Sequence, residues 1–131
     1  FGIKKPSIKI LGLNPHAGEN GKIGSEEQDI IIPAIKKLRK SKIDVSLPMS
    51  ADTAFSGKHL NETDAYFGMY HDQVLPVLKA ISFGESINIT LGVPIIRTSV
   101  DHGVALDIAG SNNSDTSSLE LAFESANNLI K

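Results

Sequence analysis

The chain has no cysteine among its 131 residues. This absence excludes disulfide bonds, thiolate zinc sites and cysteine nucleophiles. It is compatible with a reducing compartment, and we expect a cytoplasmic protein. No apolar run is long enough to cross a bilayer, and no secretory signal peptide is recognisable, so we expect no membrane partner.

Excess charge of either sign is also missing. The 13 Lys and Arg residues nearly balance the 15 Asp and Glu residues, which gives a formal net charge of -2. This balance provides no bulk attraction to nucleic acid or to an anionic membrane. With 40% hydrophobic and 21% charged residues, the composition is that of a globular domain or a piece of one. Because the sequence starts at Phe1, without a methionine, we expect a fragment of a longer protein.

Short apolar runs alternate with amphipathic stretches. We predict strands at 7–13, 43–47 and 65–70, and a hairpin or irregular pair at 87–91 and 94–98. Helices are predicted from the Ser25 N-cap to about residue 40, over 73–81 and over 116–131. Pro33 should kink the first helix or end its first part, and 48–57 is predicted as a loop. The alternation of strands and helices indicates an α/β fold.

Two histidines follow strand-like runs, where open α/β sheets bind ligands. His16 lies in a turn rich in proline and glycine, and His71 is followed directly by Asp72. Two imidazoles presented in this way suggest a divalent metal site, which they do not complete, because zinc normally takes three or four ligands. The alternative is that each is a hydrogen-bonded loop residue. His59 has no supporting context and is interpreted as a surface residue.

Cationic and polar side chains form a second group of candidates. Arg97 lies in an otherwise apolar run, where an unpaired guanidinium would be costly. Its partner is either an internal carboxylate or a substrate phosphate or carboxylate, which arginine binds through two hydrogen bonds. Asn88 can bind the same ligand or occupy a strand edge or bulge. Lys79 lies two turns after His71 on the predicted helix.

Loop aspartates accompany these groups. Asp52, Asp72 and Asp101 can act as general bases or hold an imidazole in place. Aspartate is also a common turn residue, so each is explained by local turn geometry as well. His102 stands at the mouth of a glycine-bearing loop, and its role is open between ligand binding and loop structure.

Five strings of this chain occur in an order that resembles a known family. They are Asn14-Pro15-His16-Ala17-Gly18-Glu19, Ala51-Asp52-Thr53, Met69-Tyr70-His71-Asp72-Gln73, Asn88-Ile89-Thr90-Leu91-Gly92 and Ile96-Arg97-Thr98-Ser99-Val100-Asp101-His102-Gly103. They are similar to the C-terminal part of the PdxA family, the 4-hydroxythreonine-4-phosphate dehydrogenases of pyridoxal phosphate (vitamin B6) synthesis. The resemblance runs from about Lys9 to the final helix.

The resemblance implies a fold and an activity. The fold is a layered α/β/α arrangement of the isocitrate/isopropylmalate dehydrogenase-like type, here a partial chain lacking the N-terminal part. The activity is oxidation of 4-phosphohydroxy-L-threonine with NAD or NADP and a divalent metal (Zn, Mg or Co), with decarboxylation to 3-amino-2-oxopropyl phosphate. The family is a homodimer with a shared active site.

The resemblance also implies roles for individual residues. The metal ligands are His16 and His71, with a third histidine expected upstream of the first string. The substrate-binding residues are Lys79, Asn88 and Arg97, and the catalytic residues are Asp52, Asp72 and Lys79. The cofactor-binding residues are His102, Gly103 and Asp107, in a loop that resembles the adenine-side loop of isocitrate dehydrogenases. Val104 and Leu106 in this loop depart from the usual residues.

The expected organisation is a partial α/β domain at 1–114, carrying the substrate, metal and cofactor residues, and a helix at 115–131 that packs on the missing N-terminal portion. Two functional alternatives stay open. One is a metal-dependent hydrolase or lyase that acts on a phosphorylated acid without a nicotinamide, and the other is an inactive α/β fragment. We expect the 131-residue piece alone to be inactive, because one metal ligand and part of the cleft are missing.

Overall fold

The computed structural model describes residues 1–111 and 113–130. Asn112, and Lys131 at the end of the last predicted helix, lie outside the described residues. The chain divides into two compact units, Gly2–Val77 and a second unit from Leu78 onward that includes Phe1. The expected organisation, with a partial domain at 1–114 and a helix at 115–131, stays a prediction. Within the described ranges, no helix is long and apolar enough to cross a membrane.

A small parallel sheet organises the first unit. Strand β1 (Ile8–Ile10) pairs in parallel with β2 (Ala65–Phe67), so that Ile8 lies opposite Ala65. β1 also forms single parallel bridges, from Ile8 to Val45 and from Leu11 to Met49. Both predicted strands are therefore present, but each is shorter than its apolar run.

The predicted strand at 43–47 is wrong in extent, since only the bridge at Val45 forms. The side chain of Ser46 interrupts the ladder, because its hydroxyl accepts the Ile10 N–H at 2.9 Å in place of a backbone carbonyl. Pro48, which follows closely, has no N–H to donate.

The first helical segment changes type near Pro33. A π-helical turn (Glu27–Ile31) runs directly into helix α1 (Ile32–Lys40), and Pro33 occupies the first turn of α1. Pro33 thus lies inside a continuous helical segment, where it has no N–H to donate to the preceding turn, and the π-helical turn lies directly before it. The core of this unit forms where this segment meets the sheet, and its buried side chains are Ile10, Ile31, Ile35 and Val45.

The predicted loop at 48–57 is wrong, because it contains the short helix α2 (Ala51–Ala54), and α3 (Gly57–Asn61) begins at its end. Ser50 precedes α2 in an extended conformation, and its carbonyl accepts the Ala54 N–H at 3.1 Å. A single turn of this kind is too short for a periodic apolar pattern to reveal it.

Helix α4 (His71–Ser82) begins two residues before its predicted start and contains Pro76 in its interior. The early start places His71 and Asp72 in the first turn of the helix rather than in the preceding loop. Gln73 fixes this turn within the first unit, since its buried side chain donates to the Gly12 carbonyl at 2.6 Å and accepts the Met69 N–H at 2.7 Å.

The second unit is built on the predicted hairpin, which is confirmed as a pairing, but its second strand lies at Arg97–Val100 rather than at the predicted 94–98. Strands β3 (Ile87–Thr90) and β4 (Arg97–Val100) pair antiparallel, with Asn88 opposite Ser99 and Thr90 opposite Arg97. One turn of 3₁₀-helix (Leu106–Ile108) lies in the loop that follows.

Helix α5 (Ser117–Ile130) packs against this hairpin, where the Thr98 hydroxyl donates to the Ala122 carbonyl at 2.9 Å. Ala122 is buried, but Leu119 and Phe123 are 61% and 74% exposed. The helix therefore belongs to the same unit as the hairpin. Its packing on a further N-terminal portion stays a prediction.

Candidate active site

His16 is presented by an unusual backbone conformation. Five consecutive residues, 16–20, have positive φ and near-helical ψ, starting with His16 at φ 53° and ψ 32°. We call this segment the left-handed turn. A left-handed helical conformation costs L-residues roughly 1–2 kcal/mol each, because Cβ crowds the following carbonyl. Only Gly18 in the segment is free of that cost, so the surrounding structure must hold the rest in place.

The imidazole of His16 is oriented by a carboxylate on the same turn. Its Nδ1 lies 2.6 Å from Oε1 of Glu19, and its side chain is 60% exposed. The hydrogen bond to Glu19 raises the pKa of His16 above its ordinary value of 6.5. Because Nδ1 is engaged, Nε2 is the nitrogen left to face a ligand.

His71 repeats this arrangement at the start of α4. Its Nδ1 lies 2.6 Å from Oδ1 of Asp72, and both side chains are at least 80% exposed. Metal-binding histidines commonly donate their second ring N–H to a carboxylate, which fixes the ring and its tautomer. The donor chemistry of His16 and His71 therefore fits two imidazole ligands of a divalent metal.

A cavity of about 250 Å³ adjoins these groups, and His16, Asp52, Tyr70 and Gln73 contribute to its wall. The Ser50 hydroxyl donates to Asp52 at 2.5 Å. This hydrogen bond, aided by the nearby His16, lowers the pKa of Asp52. His71 lies between Tyr70 and Gln73 in the chain but does not line the cavity. Within residues 1–111 and 113–130, no three His, Asp or Glu side chains converge on a common metal position, so these residues supply only part of a ligand set.

The second unit contains a separate polar cluster centred on Asp101. Its carboxylate is 6% exposed and lies 2.7 Å from Nζ of Lys79. The hydroxyls of Ser86 and Ser118 also donate to it. The ammonium of Lys79 and these hydroxyls lower the pKa of Asp101 from 3.8 to about 2. Lys79, predicted as a substrate and catalytic residue, is thus already paired with an internal carboxylate.

Lys79 and Asp101 both line a cavity of about 630 Å³ in this unit. Two of the three predicted cofactor residues, His102 and Gly103, contribute to the same wall, whereas Asp107 does not. The Nδ1 of His102 donates to the Gly103 carbonyl at 2.9 Å. The cavity therefore brings together one predicted substrate residue and two predicted cofactor residues.

Asn88 and Arg97 share one face of the hairpin, because their register partners are Ser99 and Thr90. Both side chains are exposed. The guanidinium of Arg97 donates to the Thr90 hydroxyl at 2.7 Å and forms no ion pair with any residue that the structure describes. The sequence left two partners open for Arg97, an internal carboxylate or an anionic group of the substrate. Among the described residues, no internal carboxylate pairs with it.

Sequence reasoning missed Glu27 as part of this site. Its side chain is 1% exposed, and its carboxylate accepts both the backbone N–H and the side-chain amide of Asn14. One signal was present in the sequence. Glu27 precedes the buried Ile31 and Ile35 by four and eight residues, which places it on the buried face of the helical segment.

A family model described as "Pyridoxal phosphate biosynthetic protein PdxA" matches residues 1–126. The chain is 57% identical over 126 residues to a 4-hydroxythreonine-4-phosphate dehydrogenase of Pseudomonas syringae pv. tomato, covering 96% of this chain and 38% of that relative.

Solved structures are similar as well. The crystal structure of a 4-hydroxythreonine-4-phosphate dehydrogenase from Klebsiella pneumoniae has a TM-score of 0.81 and 42% identity, over 95% of this chain and 38% of that one. A terephthalate 1,2-cis-dihydrodioldehydrogenase from Burkholderia xenovorans LB400 has a TM-score of 0.72 and 34% identity, over 94% of this chain and 39% of that one.

These likenesses define an α/β protein with the fold of solved dehydrogenases, as the sequence predicted. More particularly, the chain belongs to the PdxA family of pyridoxal phosphate biosynthetic proteins. It spans about 38% of the length of the curated relative described above.

Proposed function

We propose that the complete protein is a 4-hydroxythreonine-4-phosphate dehydrogenase. It oxidises 4-phosphohydroxy-L-threonine with NAD or NADP, and the product loses carbon dioxide to give 3-amino-2-oxopropyl phosphate. The names of the relatives support this reaction. The structural observation that carries the proposal is the shared geometry of His16 and His71, each with Nδ1 held by a carboxylate and Nε2 left for a ligand.

His16 and His71 would hold a divalent metal, with the remaining ligand supplied from outside the described residues. When bound, the ion supplies Lewis-acid polarisation of the oxygen that becomes the ketone. Asp72 keeps the His71 ring oriented, and Asp52 places a carboxylate on the cavity wall beside His16. That carboxylate is ionised at neutral pH, but its lowered pKa makes it a weak base. It would therefore accept the proton of the substrate only from a hydroxyl made more acidic at the metal site.

The cationic residues would bind the anionic ends of the substrate. Arg97 presents an exposed guanidinium with no internal counterion among the described residues, and such a group binds phosphate or carboxylate bidentately. Asn88 lies on the same face and adds an amide donor. Lys79 presents an ammonium, oriented by Asp101, to the larger cavity.

The nicotinamide cofactor is proposed to use the wall formed by His102 and Gly103, within the cavity of about 630 Å³. Asp107 does not line this cavity, so any contact that it makes with the cofactor would involve a part of the cofactor that lies outside the cavity. The likeness to a dihydrodioldehydrogenase supports an oxidoreductase in general without selecting the substrate. We further propose a cytoplasmic homodimer with a shared active site, in line with the family resemblance.

The test is an assay of the purified complete protein with 4-phosphohydroxy-L-threonine, NAD and a divalent metal. The proposal predicts that absorbance rises at about 340 nm as the nicotinamide is reduced and that chelation of the metal abolishes the rise. Consumption of substrate without reduction of the nicotinamide would instead favour the metal-dependent hydrolase or lyase.

A further inference from the structure

Glu27 is a buried carboxylate that the proposed reaction does not use. Its side chain is 1% exposed, and among the described residues it has no cationic partner. Its Oε1 accepts the backbone N–H of Asn14 at 2.8 Å, and its Oε2 accepts the side-chain amide of Asn14 at 2.9 Å. Asn14 lies two residues before His16, at the entrance to the left-handed turn.

These hydrogen bonds keep the buried group charged. Burial alone opposes ionisation of Glu27, but the hydrogen bonds from Asn14, together with those from the backbone N–H groups of Glu27 and Leu13, outweigh it and lower the pKa below the ordinary value of 4.5. A buried charge is tolerated only where hydrogen bonds replace its hydration. The charge of buried Glu27 is therefore stabilised while Asn14 donates these hydrogen bonds, and the same hydrogen bonds hold Asn14 in its conformation at the entrance to the turn.

Two glycines show how closely the carboxylate approaches the turn. A Cβ atom on Gly18 would lie 2.6 Å from Oε2 of Glu27, and a Cβ on Gly12 would lie 3.1 Å from Oε1. The carboxylate thus occupies the space of a Gly18 side chain, whereas the space at Gly12 is occupied first by Ala17, 2.7 Å away, and then by the carboxylate. Gly18 also has φ +78°, a conformation that glycine adopts without strain.

The turn lies in a 3₁₀-helical segment, Pro15–Gly21. Further backbone hydrogen bonds run from Ala17 N–H to the Asn14 carbonyl at 3.1 Å, from Lys22 N–H to the Glu19 carbonyl at 3.3 Å and from Ile23 N–H to the Gly18 carbonyl at 3.1 Å. A strained backbone persists only when its surroundings fix it. The buried contact that reaches both the entrance and the middle of the turn is the Glu27 carboxylate.

We infer that Glu27 is a positioning residue for His16. Through its contacts with Asn14 and Gly18, the Glu27 carboxylate stabilises the left-handed turn and thereby orients the His16 imidazole toward the metal. The inference rests on the proposed function, in which His16 is a metal ligand. Glu27 touches neither metal nor substrate and acts through Asn14 and Gly18.

The experiment uses the complete protein in four variants: Glu27→Gln, Gly18→Ala, His16→Ala and Asp29→Asn. Glu27→Gln keeps the size of the side chain but turns an amide group toward the N–H donors. Gly18→Ala introduces a Cβ into the space of the carboxylate without changing charge. Asp29→Asn is the matched control, since it neutralises an exposed carboxylate in the same helical turn whose described partner is Ser25.

Two readouts are taken. Calorimetry with cobalt(II) alone measures metal affinity, and the visible spectrum of the bound cobalt reports its coordination geometry. Hydrogen exchange of the metal-free protein measures protection of the Ala17 and Ile23 amides. We expect Glu27→Gln and Gly18→Ala to weaken cobalt binding by about 10-fold or more, the loss typical when support of a metal ligand is removed. Both should alter the spectrum and speed amide exchange in the turn, whereas Asp29→Asn should do neither.

The inference is overturned if Glu27→Gln and Gly18→Ala bind cobalt with wild-type affinity and spectrum while His16→Ala loses it. A lowered melting temperature with unchanged affinity would likewise reduce Glu27 to a structural role. If Glu27→Gln does not fold, Glu27→Asp, which keeps the charge but shortens its reach to Asn14, decides the question by the same readouts, because Gly18→Ala also strains a residue at φ +78°. If His16→Ala binds cobalt normally, the proposed role of His16 as a metal ligand is wrong, and the inference about Glu27 fails with it. The His16→Ala variant thus separates failure of the proposed metal site from failure of the Glu27 inference alone.

Discussion

The Nδ1 atom of His71 lies 2.6 Å from Oδ1 of Asp72, the residue that follows it in the first turn of α4. His16 is held in the same way by Glu19, three residues further along the chain. Both imidazoles thereby present Nε2, although one lies in a left-handed turn and the other at the start of a helix. This common geometry is the basis for assigning both as metal ligands.

Removing the Asp72 carboxylate should weaken metal binding without removing a ligand. We expect Asp72→Ala to lower cobalt affinity by about 10-fold, because the His71 ring loses the acceptor that fixes its orientation. Calorimetry on the complete protein measures this. Asp44→Ala, which removes an exposed carboxylate elsewhere in the first unit, should leave the affinity unchanged, and an equal loss in both variants would contradict the role given to Asp72.

Asp101 should make stability depend on pH in the acid range. Its pKa is about 2 in the folded protein, against an ordinary value of 3.8. The stabilisation is therefore complete above pH 3.8 and is lost as the pH falls through about 2, and it is on the order of 2 kcal/mol. Denaturant unfolding between pH 2 and 6 should show a smaller acid-induced loss in Asp101→Asn than in the wild type. Equal pH slopes would contradict the Lys79–Asp101 pairing.

Arg97 should affect substrate binding more than cofactor binding. With Arg97→Ala we expect the KM for the phosphorylated substrate to rise by about 10-fold or more, the scale of a lost charge-assisted hydrogen bond, while the KM for NAD changes little. Arg97→Lys retains the charge but not the bidentate geometry, so its effect should be intermediate. An Arg97→Ala enzyme in which only the KM for NAD rises would refute the assignment.

A substitution of Ile35 tests the hydrophobic core of the first unit. Ile35 is 2% exposed and packs with Ile10, Ile31 and Val45, so Ile35→Ala should lower the free energy of unfolding by about 2–5 kcal/mol. Leu38→Ala, on the same helix but 38% exposed, should cost clearly less. Denaturant titration of both variants gives the comparison, and equal losses would contradict the packing described.

The sequence predicted the elements whose signals are local. The runs around β1 and β2, the β3–β4 hairpin and helices α1, α4 and α5 all form, since apolar period and capping residues act within a few neighbours. The strand at 43–47 failed because the Ser46 side chain takes a ladder position, which a pattern of apolar residues does not register.

The features of the candidate site likewise divide into those that depend on local sequence and those that depend on distant contacts. The residue types at His16, His71 and Arg97 were readable from the sequence, and so was the place of the two histidines after strand-like runs. The left-handed turn and the burial of Glu27 beneath it were not, because both depend on a contact across 13 residues. The pairing of Lys79 with Asp101 joins positions 22 apart, and only the folded chain brings them together.

The most direct test of the account is metal affinity in the complete protein with both imidazoles removed. Calorimetry should find one divalent metal site in the wild type, and we predict affinity at least about 10-fold weaker in His16→Ala, in His71→Ala and in the double variant. Wild-type affinity in the double variant would show that these histidines are not ligands and would contradict the central assignment.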